Sequence, residues 1–448
     1  MRITKWMGFL AGSLLMSSFA LAQAQEIRPL QLQQAIELSL QNSKQLQASS
    51  ARVEAATAQL REALDSRLPD LKVSGSWLFL AHPNIDLKTG SSGSGSGSSE
   101  PMPQPSQAMY GMATLSLPLY AGGKIRYGIE SARLVQQATE KEAAGDQEAV
   151  TLRAITAFCN LYKSESAMGL VQENLRQSQQ RDHDFENLEK NGLLARNDLL
   201  KAQLQTANIE MALVNAENNL KLAMVSLNLL MGLPEQTQLQ PDTTGLHAIH
   251  SLAGIEAYEQ DAFNNRKDLQ AAGLQQKASH VAIKSAHADY YPSLGLSGGY
   301  IAVHVPDLVT ATNLVNAGVG LQYNLGSLWK TKAKIDAAKA NEKEVVARRE
   351  MLTDDVRLSI NKAYQNYLSA QKKIYVQEKS VVNATENYRI TKNKHDNNLV
   401  TTTELLDANV ALLESRISLE EARADIVIAY NTLLKEAGIL QQQTEKSK

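Results

Sequence analysis

Two similar stretches decide the fold of this chain: NGLLARNDLL at Asn191 to Leu200 and NNLVTTTELL at Asn397 to Leu406. The second begins 206 residues after the first, at position 397 against position 191. Each opens a segment in which apolar residues recur at steps of three and four, the spacing of an amphipathic helix that packs along a heptad seam. Such spacing alone is also compatible with an ordinary helical-bundle core.

The seams that follow the two stretches keep the same register. The first contains Leu199, Ala202, Thr206, Ile209, Leu213, Ala216, Leu220, Ala223 and Leu227, and the second Leu405, Ala408, Leu412, Ser415, Leu419, Ala422, Ile426, Ala429 and Leu433. Gly232 and Gly438 then end both segments at the same spacing. We infer one module used twice, in which alternating Ala and Leu let long helices pack closely side by side.

Composition supports long, solvated helices and gives no strong charge. The 448 residues contain 45 basic and 47 acidic side chains, so a nucleic-acid partner is not expected. Aromatic residues make up 5%, too few for one compact core of this size. The single cysteine, Cys159, can form no intrachain disulfide.

The first residues have the pattern of a cleavable secretory signal, predicted over 1–24. Arg2 and Lys5 precede an apolar run from Trp6 to Leu21, and small residues allow cleavage after Ala22 or after Ala24. A retained membrane anchor is the alternative. No later stretch has about 18 consecutive apolar residues, so a membrane span would have to be built from strands.

Alternating segments predict two β-hairpins, each between helices. The first hairpin, 71–119, encloses a Ser/Gly-rich loop at Thr89 to Gln107, and the second, 293–326, includes an expected bulge at Gly298-Gly299. Single helices are expected over Leu30 to Arg67 and from Ile255 to Tyr291. The predicted organisation is a first repeat 25–236 with a tip at 191–197, an irregular linker 237–254, a second repeat 255–438 with a tip at 397–403, and a polar tail 439–448.

No motif of catalysis or metal binding is supported by its surroundings. His247 and His250 form an H-x-x-H pair without an evident third ligand, and Ser369 to Lys372 matches S-x-x-K in mid-helix without companion motifs. Phosphate-binding glycine loops and H-E-x-x-H are absent from the sequence. We therefore expect neither an enzyme nor a cofactor nor a metal site.

The order of these segments resembles the TolC-like outer-membrane efflux proteins, or outer membrane factors, over nearly all of the chain beyond the signal. The resemblance rests on the duplicated order of helix, hairpin, long helix, tip and return helix. It also rests on the motifs RLPDLKVSGSW from Arg67, LPLYAGGK from Leu117, KDLQAA from Lys267 and DYYPSLGLSGGY from Asp289.

The resemblance implies a mainly α fold with a transmembrane β part, in which a homotrimer forms an α-barrel that continues into a 12-stranded β-barrel. Strand number alone requires oligomerisation if the strands are transmembrane, because four strands cannot close a barrel and about eight is the practical minimum. Two copies would give eight strands and three would give twelve. Only the resemblance selects three.

The function implied is the outer-membrane channel of a tripartite efflux or type I secretion system of a Gram-negative bacterium, with helices extending into the periplasm. It would pass small molecules or polypeptides from an inner-membrane pump and a periplasmic adaptor to the exterior. A periplasmic coiled-coil scaffold without a channel is the alternative, and an envelope enzyme is a third possibility that no polar constellation supports.

Three sets of site residues follow. Strand alternation predicts lipid-facing side chains at Trp77, Phe79, Leu115, Leu117, Leu119, Val319, Leu321 and Leu325. The resemblance implies adaptor contacts at Gly192, Leu193, Leu194, Ala195, Asn398, Leu399, Val400 and Thr401. It also implies acidic rings at a periplasmic gate, formed by Glu404 and Asp407.

Each tip or gate set has a simpler explanation. Gly and Asn favour tight helix ends, and acidic residues favour a helix N-terminus.

The sequence departs from well-known members of the family, since Val400 stands where a gating Arg is usual and His395 where a Tyr is common. Arg196 on the other tip is a candidate substitute for the missing Arg.

Overall fold

A computed structural model describes residues 28–81, 105–243, 250–306 and 308–442. The predicted signal, most of the Ser/Gly loop, His247 and the end of the polar tail lie outside these residues.

The chain is mainly helical. Its elements are β1 (Arg28–Leu30), α1 (Leu32–Asn42), α2 (Lys44–Asp65), β2 (Asp70–Phe79), β3 (Gln107–Ala121), α3 (Lys124–Lys190), α4 (Arg196–Met231), β4 (Leu239–Pro241), α5 (Ile255–Asn265), α6 (Lys267–His287), a 3-10 turn (Ala288–Tyr290), β5 (Ser293–Val305), β6 (Val309–Gln322), α7 (Ser327–Asp396) and α8 (Thr402–Glu436).

The chain divides into two compact units. The first comprises residues up to 42, 153–248 and 372–428, and the second comprises 43–152, 249–371 and 429–448. Helices α3, α7 and α8 therefore contribute residues to both units. None of the described helices is long and apolar enough to cross a membrane.

In the first unit, α1 packs against the end of α4. Gly232 ends α4 with φ of 72°, and a Cβ on this glycine would lie 2.7 Å from the Cβ of Asn42. The Asn42 amide also donates to the carbonyl of Met231 at 2.8 Å. Glycine is therefore required here by both the left-handed backbone and the close approach of α1.

A short parallel pair joins the start of the chain to the segment after α4. Strand β1 pairs with β4 from Arg28 opposite Leu239 to Leu30 opposite Pro241. The linker 237–254 is thus not irregular throughout. Three residues are too few to show the alternation from which a strand is predicted.

Two of the single helices expected from the sequence are each two helices. The first breaks at Ser43, whose hydroxyl accepts from the amide of Leu46 at 3.3 Å and so caps α2. The second breaks at Arg266, which has an extended backbone and a guanidinium bonded to Asp268 at 2.7 Å and to Glu436 at 2.6 Å. In both cases local polar bonds replace the continuous helical backbone.

The second unit contains an antiparallel sheet in the order β2-β3-β5-β6. The expected bulge at Gly298-Gly299 is wrong, because these residues pair regularly with Ala317 and Asn316. The register shifts instead between Pro118 and Tyr120 and between Ile301 and Val303. Close packing explains Gly299, since a Cβ there would lie 2.6 Å from the Asn316 side-chain oxygen.

The last strand ends four residues earlier than expected. Strand β6 stops at Gln322, and the Asn324 side-chain oxygen then accepts from the amide of Gly326 at 3.0 Å. This turn leads directly into α7 at Ser327. Leu325 consequently lies in the turn rather than on the strand.

Candidate functional site

Strand register places the predicted apolar side chains on one face of the sheet. Trp77 is opposite Met109, and Leu117 is opposite Leu296, which in turn is opposite Val319. The predicted residues Phe79, Leu115 and Leu321 lie on this face too, and the register adds Leu71, Val73, Leu294, Tyr300 and Val315. Phe79 and Leu321 are 77% and 72% exposed in the single chain. A continuous exposed apolar band of this kind indicates a surface that is covered in the functional protein.

The opposite face is mostly small or polar. It contains Ser74, Ser76, Thr114, Ser116, Ser297, Asn316, Gly318, Gly320 and Gln322. Two predicted lipid-facing residues do not belong to the regular ladder: Leu119 lies at the register shift of β3 and has no opposite residue in β5, and Leu325 lies beyond β6. The opposite face is small and polar over the helix-side part of the sheet, whereas toward the hairpin loops it also carries Leu78, Tyr110, Met112, Ile301 and Leu314. The contrast between the two faces is therefore sharpest near the helices, and an amphipathic membrane strand has such a contrast.

Both outer strands of this sheet are open at one edge. Among the described residues, β2 pairs only with β3 and β6 pairs only with β5. Each edge therefore presents unpaired backbone donors and acceptors.

The sheet is joined to its helices by the glycines and the lysine of LPLYAGGK. Gly122 has φ of 64°, and a Cβ there would lie 2.5 Å from the carbonyl oxygen of Ala288. Lys124 then bonds Asp289 at 2.8 Å, and Lys334 bonds the other oxygen of the same carboxylate at 2.6 Å. These two hydrogen bonds lower the pKa of Asp289, which is therefore charged at neutral pH.

The first tip is a tight helix end with an exposed leucine. The amide of Gly192 donates to Glu189, and the amide of Leu193 donates to Leu188, both at 2.9 Å. Gly192 has φ of 71°, so this pair of bonds is a Schellman motif. Such motifs commonly bury the residue after the glycine against the helix, yet Leu193 is 70% exposed.

The second tip repeats this geometry with different residues. Asn398 donates to His395 and Leu399 donates to Lys394, again at 2.9 Å. Asn398 has φ of 55° and takes the place of Gly192, because asparagine tolerates the left-handed region. Leu399 is 73% exposed. Two leucines at matching positions of the repeat therefore project from polar turns.

A small core beneath the tips holds them together. Phe185, Leu199, Ala202 and Leu405 are buried there, and Leu194 packs against them. His395 belongs to the same region: its ring stacks on Phe185 at a centroid distance of 5.5 Å, and its Nε2 lies 3.3 Å from the Thr402 hydroxyl. Leu194 and His395 are therefore packing residues within this unit.

The two predicted gate acids are exposed but differ in their contacts. Glu404 accepts from the amide of Thr401 at 3.3 Å, and its own amide donates to the Thr401 hydroxyl at 3.3 Å. This is a capping box, and its T-x-x-E signature was readable in the sequence. Asp407 has no hydrogen bond or ion pair within the described part of the chain. Arg196 pairs with Glu189 of its own tip at 3.4 Å.

Of the two polar pairs considered for metal binding and catalysis, the His247–His250 pair is only partly within the described residues. No group of three or more His, Cys, Asp or Glu side chains there is placed to hold a metal ion. His250 stacks on Tyr430 at 4.2 Å, and its backbone is bonded by the Tyr367 hydroxyl. Its predicted partner His247 lies outside the described residues.

Comparison with known proteins matches most of the chain to one family. Residues 35–233 and 259–438 match the family model described as outer membrane efflux protein. The probable efflux pump outer membrane protein TtgC of Pseudomonas putida is 23% identical over 402 residues, 86% of this chain and 80% of that protein. The outer membrane efflux protein BepC of Brucella suis is 21% identical over 330 residues, 72% of this chain and 71% of that protein.

The fold is also shared with solved structures. The outer membrane protein VceC of Vibrio cholerae matches with a TM-score of 0.74 and 19% identity, over 91% of this chain and 96% of that chain. CusC matches with a TM-score of 0.76 and 19% identity, over 91% and 92%.

Proposed function

The chain belongs to the outer membrane efflux protein family, and from this premise we propose that it is the outer-membrane channel of a tripartite efflux or type I secretion system. It accepts small molecules or polypeptides from an inner-membrane pump through a periplasmic adaptor and releases them outside a Gram-negative cell. The observation that carries this proposal is the four-stranded sheet, which combines an exposed apolar face, a hydrophilic face and two open edges.

The open edges of the sheet support a homotrimer. An open edge is not tolerated in lipid, because the unpaired backbone groups have no water to bond. If β6 of one protomer pairs with β2 of the next, three protomers close a 12-stranded barrel, and their long helices continue it as an α-barrel. The apolar face of the sheet then contacts outer-membrane lipid, and the Ser, Asn and Gln side chains face the lumen.

The exposed leucines support adaptor binding at the tips. Leu193 and Leu399 are large, apolar and unpacked, whereas neighbouring Leu194 is used in the local core. The contact surface proposed is the pair of turns Gly192 to Ala195 and Asn398 to Thr401. An adaptor that presents apolar side chains would cover both leucines.

Glu404 and Asp407 are proposed to form carboxylate rings at the periplasmic end of the channel, where they attract cations and repel anions. Asp407 is free of local partners, while Glu404 also serves as a helix cap. Glu404→Gln retains a capping residue, since glutamine also completes the box, and removes only the charge. Glu404→Gln with Asp407→Asn should therefore weaken cation selectivity in single-channel recordings without loss of the trimer. Unchanged selectivity would leave both as helix-end residues.

Reconstitution tests the channel itself. The purified protein in planar bilayers should give discrete conductance steps, and the protein in cells should fractionate with the outer membrane. A protein recovered in the periplasmic fraction that gives no conductance would support the scaffold alternative. Leu193→Asp is the matched control for conductance, because it should disturb the adaptor contact and leave the pore open to ions.

A further inference from the structure

Helices α3, α6 and α7 border an open groove in the second unit, with a volume of about 1180 Å³. This groove contains none of the tip, gate or sheet residues discussed above. Sites for small organic ligands have volumes of about 300 to 1,000 Å³, so this open groove has room for such a ligand. Its lining has two distinct parts, an apolar base and a basic border.

The apolar base is supplied mainly by α6, with side chains from α3 and α5. Its members are Leu134, Phe263, Leu269, Leu274 and Val281. Val281 is buried, and the others are partly exposed to the groove. Together they offer an extended apolar surface to a flat ligand.

The border is basic, although the whole chain is nearly neutral. Its Lys and Arg residues are Lys141, Lys277, Lys284, Arg349 and Arg357, against only two carboxylates, Glu130 and Glu342. Glu342 already interacts with the His280 ring at 2.9 Å. A concave surface of one charge sign concentrates ions of the opposite sign.

The lysines and arginines differ in how they are held. Arg349 donates to the Gln276 side chain at 2.7 Å, and Arg357 lies 5.6 Å above the Phe263 ring. By contrast, Lys141, Lys277 and Lys284 are exposed and have no ion pair within the described residues. Lys277 and Lys284 are two helical turns apart on α6 and so share the face that borders the groove.

Gly273 lies one turn before Lys277 on the same face of α6. A Cβ at this position would meet no atom within 4 Å. The glycine therefore leaves space for a ligand. A larger side chain at this position would extend into the groove, and its Cβ would not clash with any protein atom.

We propose that this groove binds amphipathic organic anions. The apolar body of the ligand packs on the Leu, Phe and Val side chains, and its sulfonate or carboxylate is bonded by the free lysines. Charge-assisted bonds to these ammonium groups add to apolar burial and select anions over uncharged analogues. Binding requires only the folded chain, so it is measured independently of conductance or efflux.

Isothermal titration calorimetry on the full-length protein in a nonionic detergent tests the proposal with two matched probes. Naphthalene-1-sulfonate and naphthalene-1-sulfonamide share their rings and differ in charge. The sulfonate should bind at one site per chain and about tenfold more tightly than the sulfonamide, as expected for one or two charge-assisted bonds at a solvated site. Detergent without protein gives the blank for micelle partition.

Variants locate the binding. The pair Lys277→Gln and Lys284→Gln should remove the preference for the sulfonate, whereas Gly273→Trp should weaken both probes by filling the groove. The matched control is the pair Lys339→Gln and Lys343→Gln, two exposed lysines of α7 outside the groove, which should change neither affinity. No saturable binding, equal affinity for both probes, or insensitivity to both groove variants would overturn the proposal. If Gly273→Trp fails to fold, the exposed groove pair Lys277→Gln and Lys284→Gln still decides the test.

Discussion

The sheet and the tips both expose large apolar side chains, but they do so in different patterns. On the sheet the exposed residues form a continuous band across four strands, with polar residues on the other face. At the tips two single leucines, Leu193 and Leu399, stand among polar turn residues. This difference is what we expect if the two proposed partners are of different kinds, a nonspecific apolar solvent over the sheet and a shaped protein surface over the tips.

The largest effect is expected on the sheet, where one face should tolerate charge and the other should not. Val315→Lys, in the middle of β6, places an ammonium on the apolar face and should cost about 2 to 4 kcal/mol near mid-membrane. Asn316→Lys, one residue along β6, places the same charge on the hydrophilic face and should be nearly neutral. The amount of heat-stable oligomer in the outer-membrane fraction measures the difference. Equal loss in both variants would show that the faces are wrongly assigned.

At the tips, the expected effect is on partner binding rather than on folding. Leu193→Asp with Leu399→Asp should weaken adaptor binding about tenfold or more, which corresponds to a loss of about 1.4 kcal/mol shared by the two side chains. Asn191→Asp with Asn397→Asp adds the same charges while retaining both leucines. Pull-down with the adaptor and an efflux assay should separate the two pairs. Loss of the leucine variant from the membrane would instead indicate a folding role.

The junction between the sheet and its helices should respond to pH through Asp289. Its pKa is lowered from 3.8 by the bonds from Lys124 and Lys334, so the stabilisation is present at neutral pH and is lost as the pH falls through the lowered value. Asp289→Asn should cost about 1 to 2 kcal/mol at neutral pH, because the lysines are partly solvated.

Thermal unfolding at neutral pH and well below pH 3.8 measures this dependence. The variant and the wild type should converge in the acidic sample. Asp336→Asn is the control, since Asp336 is exposed on α7 and has no ion pair among the described residues. A destabilisation that persists unchanged in acid would contradict the ionic account of the junction.

The smallest effect concerns the caps of the two tips. Thr401→Ala removes the capping box of α8 and should cost about 1 kcal/mol, while Thr403→Ala, two residues later in the helix, should cost nothing. The first tip has no such side-chain cap, because Ala195 occupies the capping position of α4. If Thr401→Ala has no effect on thermal unfolding, the two tips are held equally by packing alone.

The sequence predicted the long helices and the two hairpins with their alternating apolar positions, because repeated periodicity over many residues is a strong signal. It did not predict that the two hairpins pair through β3 and β5. It missed the breaks at Ser43 and Arg266, where single polar residues end a helix within a continuous apolar pattern. It also missed β4, which is too short for alternation. It wrongly placed a bulge at Gly298-Gly299, where Gly299 instead makes room for the Asn316 side chain of the paired strand. The resemblance marks His395 only as a departure from the Tyr common at the gate. Its stacking on Phe185 joins two residues that are 210 positions apart, 185 and 395, and no local sequence pattern contains such a contact.

Closure of the sheet between protomers is tested most directly by disulfide trapping of its two open edges. Ser74→Cys in β2 is combined in one chain with a cysteine at Asn316, Gly318 or Gly320 in β6, all on the hydrophilic face. Within a chain these strands are three spacings, or about 14 Å, apart, which is beyond the reach of a disulfide. The native Cys159 is free and buried, so it adds no background on a folded protein. Oxidation of at least one pair should give covalent dimers and trimers and nothing larger on a non-reducing gel. Absence of cross-links in every pair, or a ladder that continues past three chains, would contradict a closed trimeric barrel.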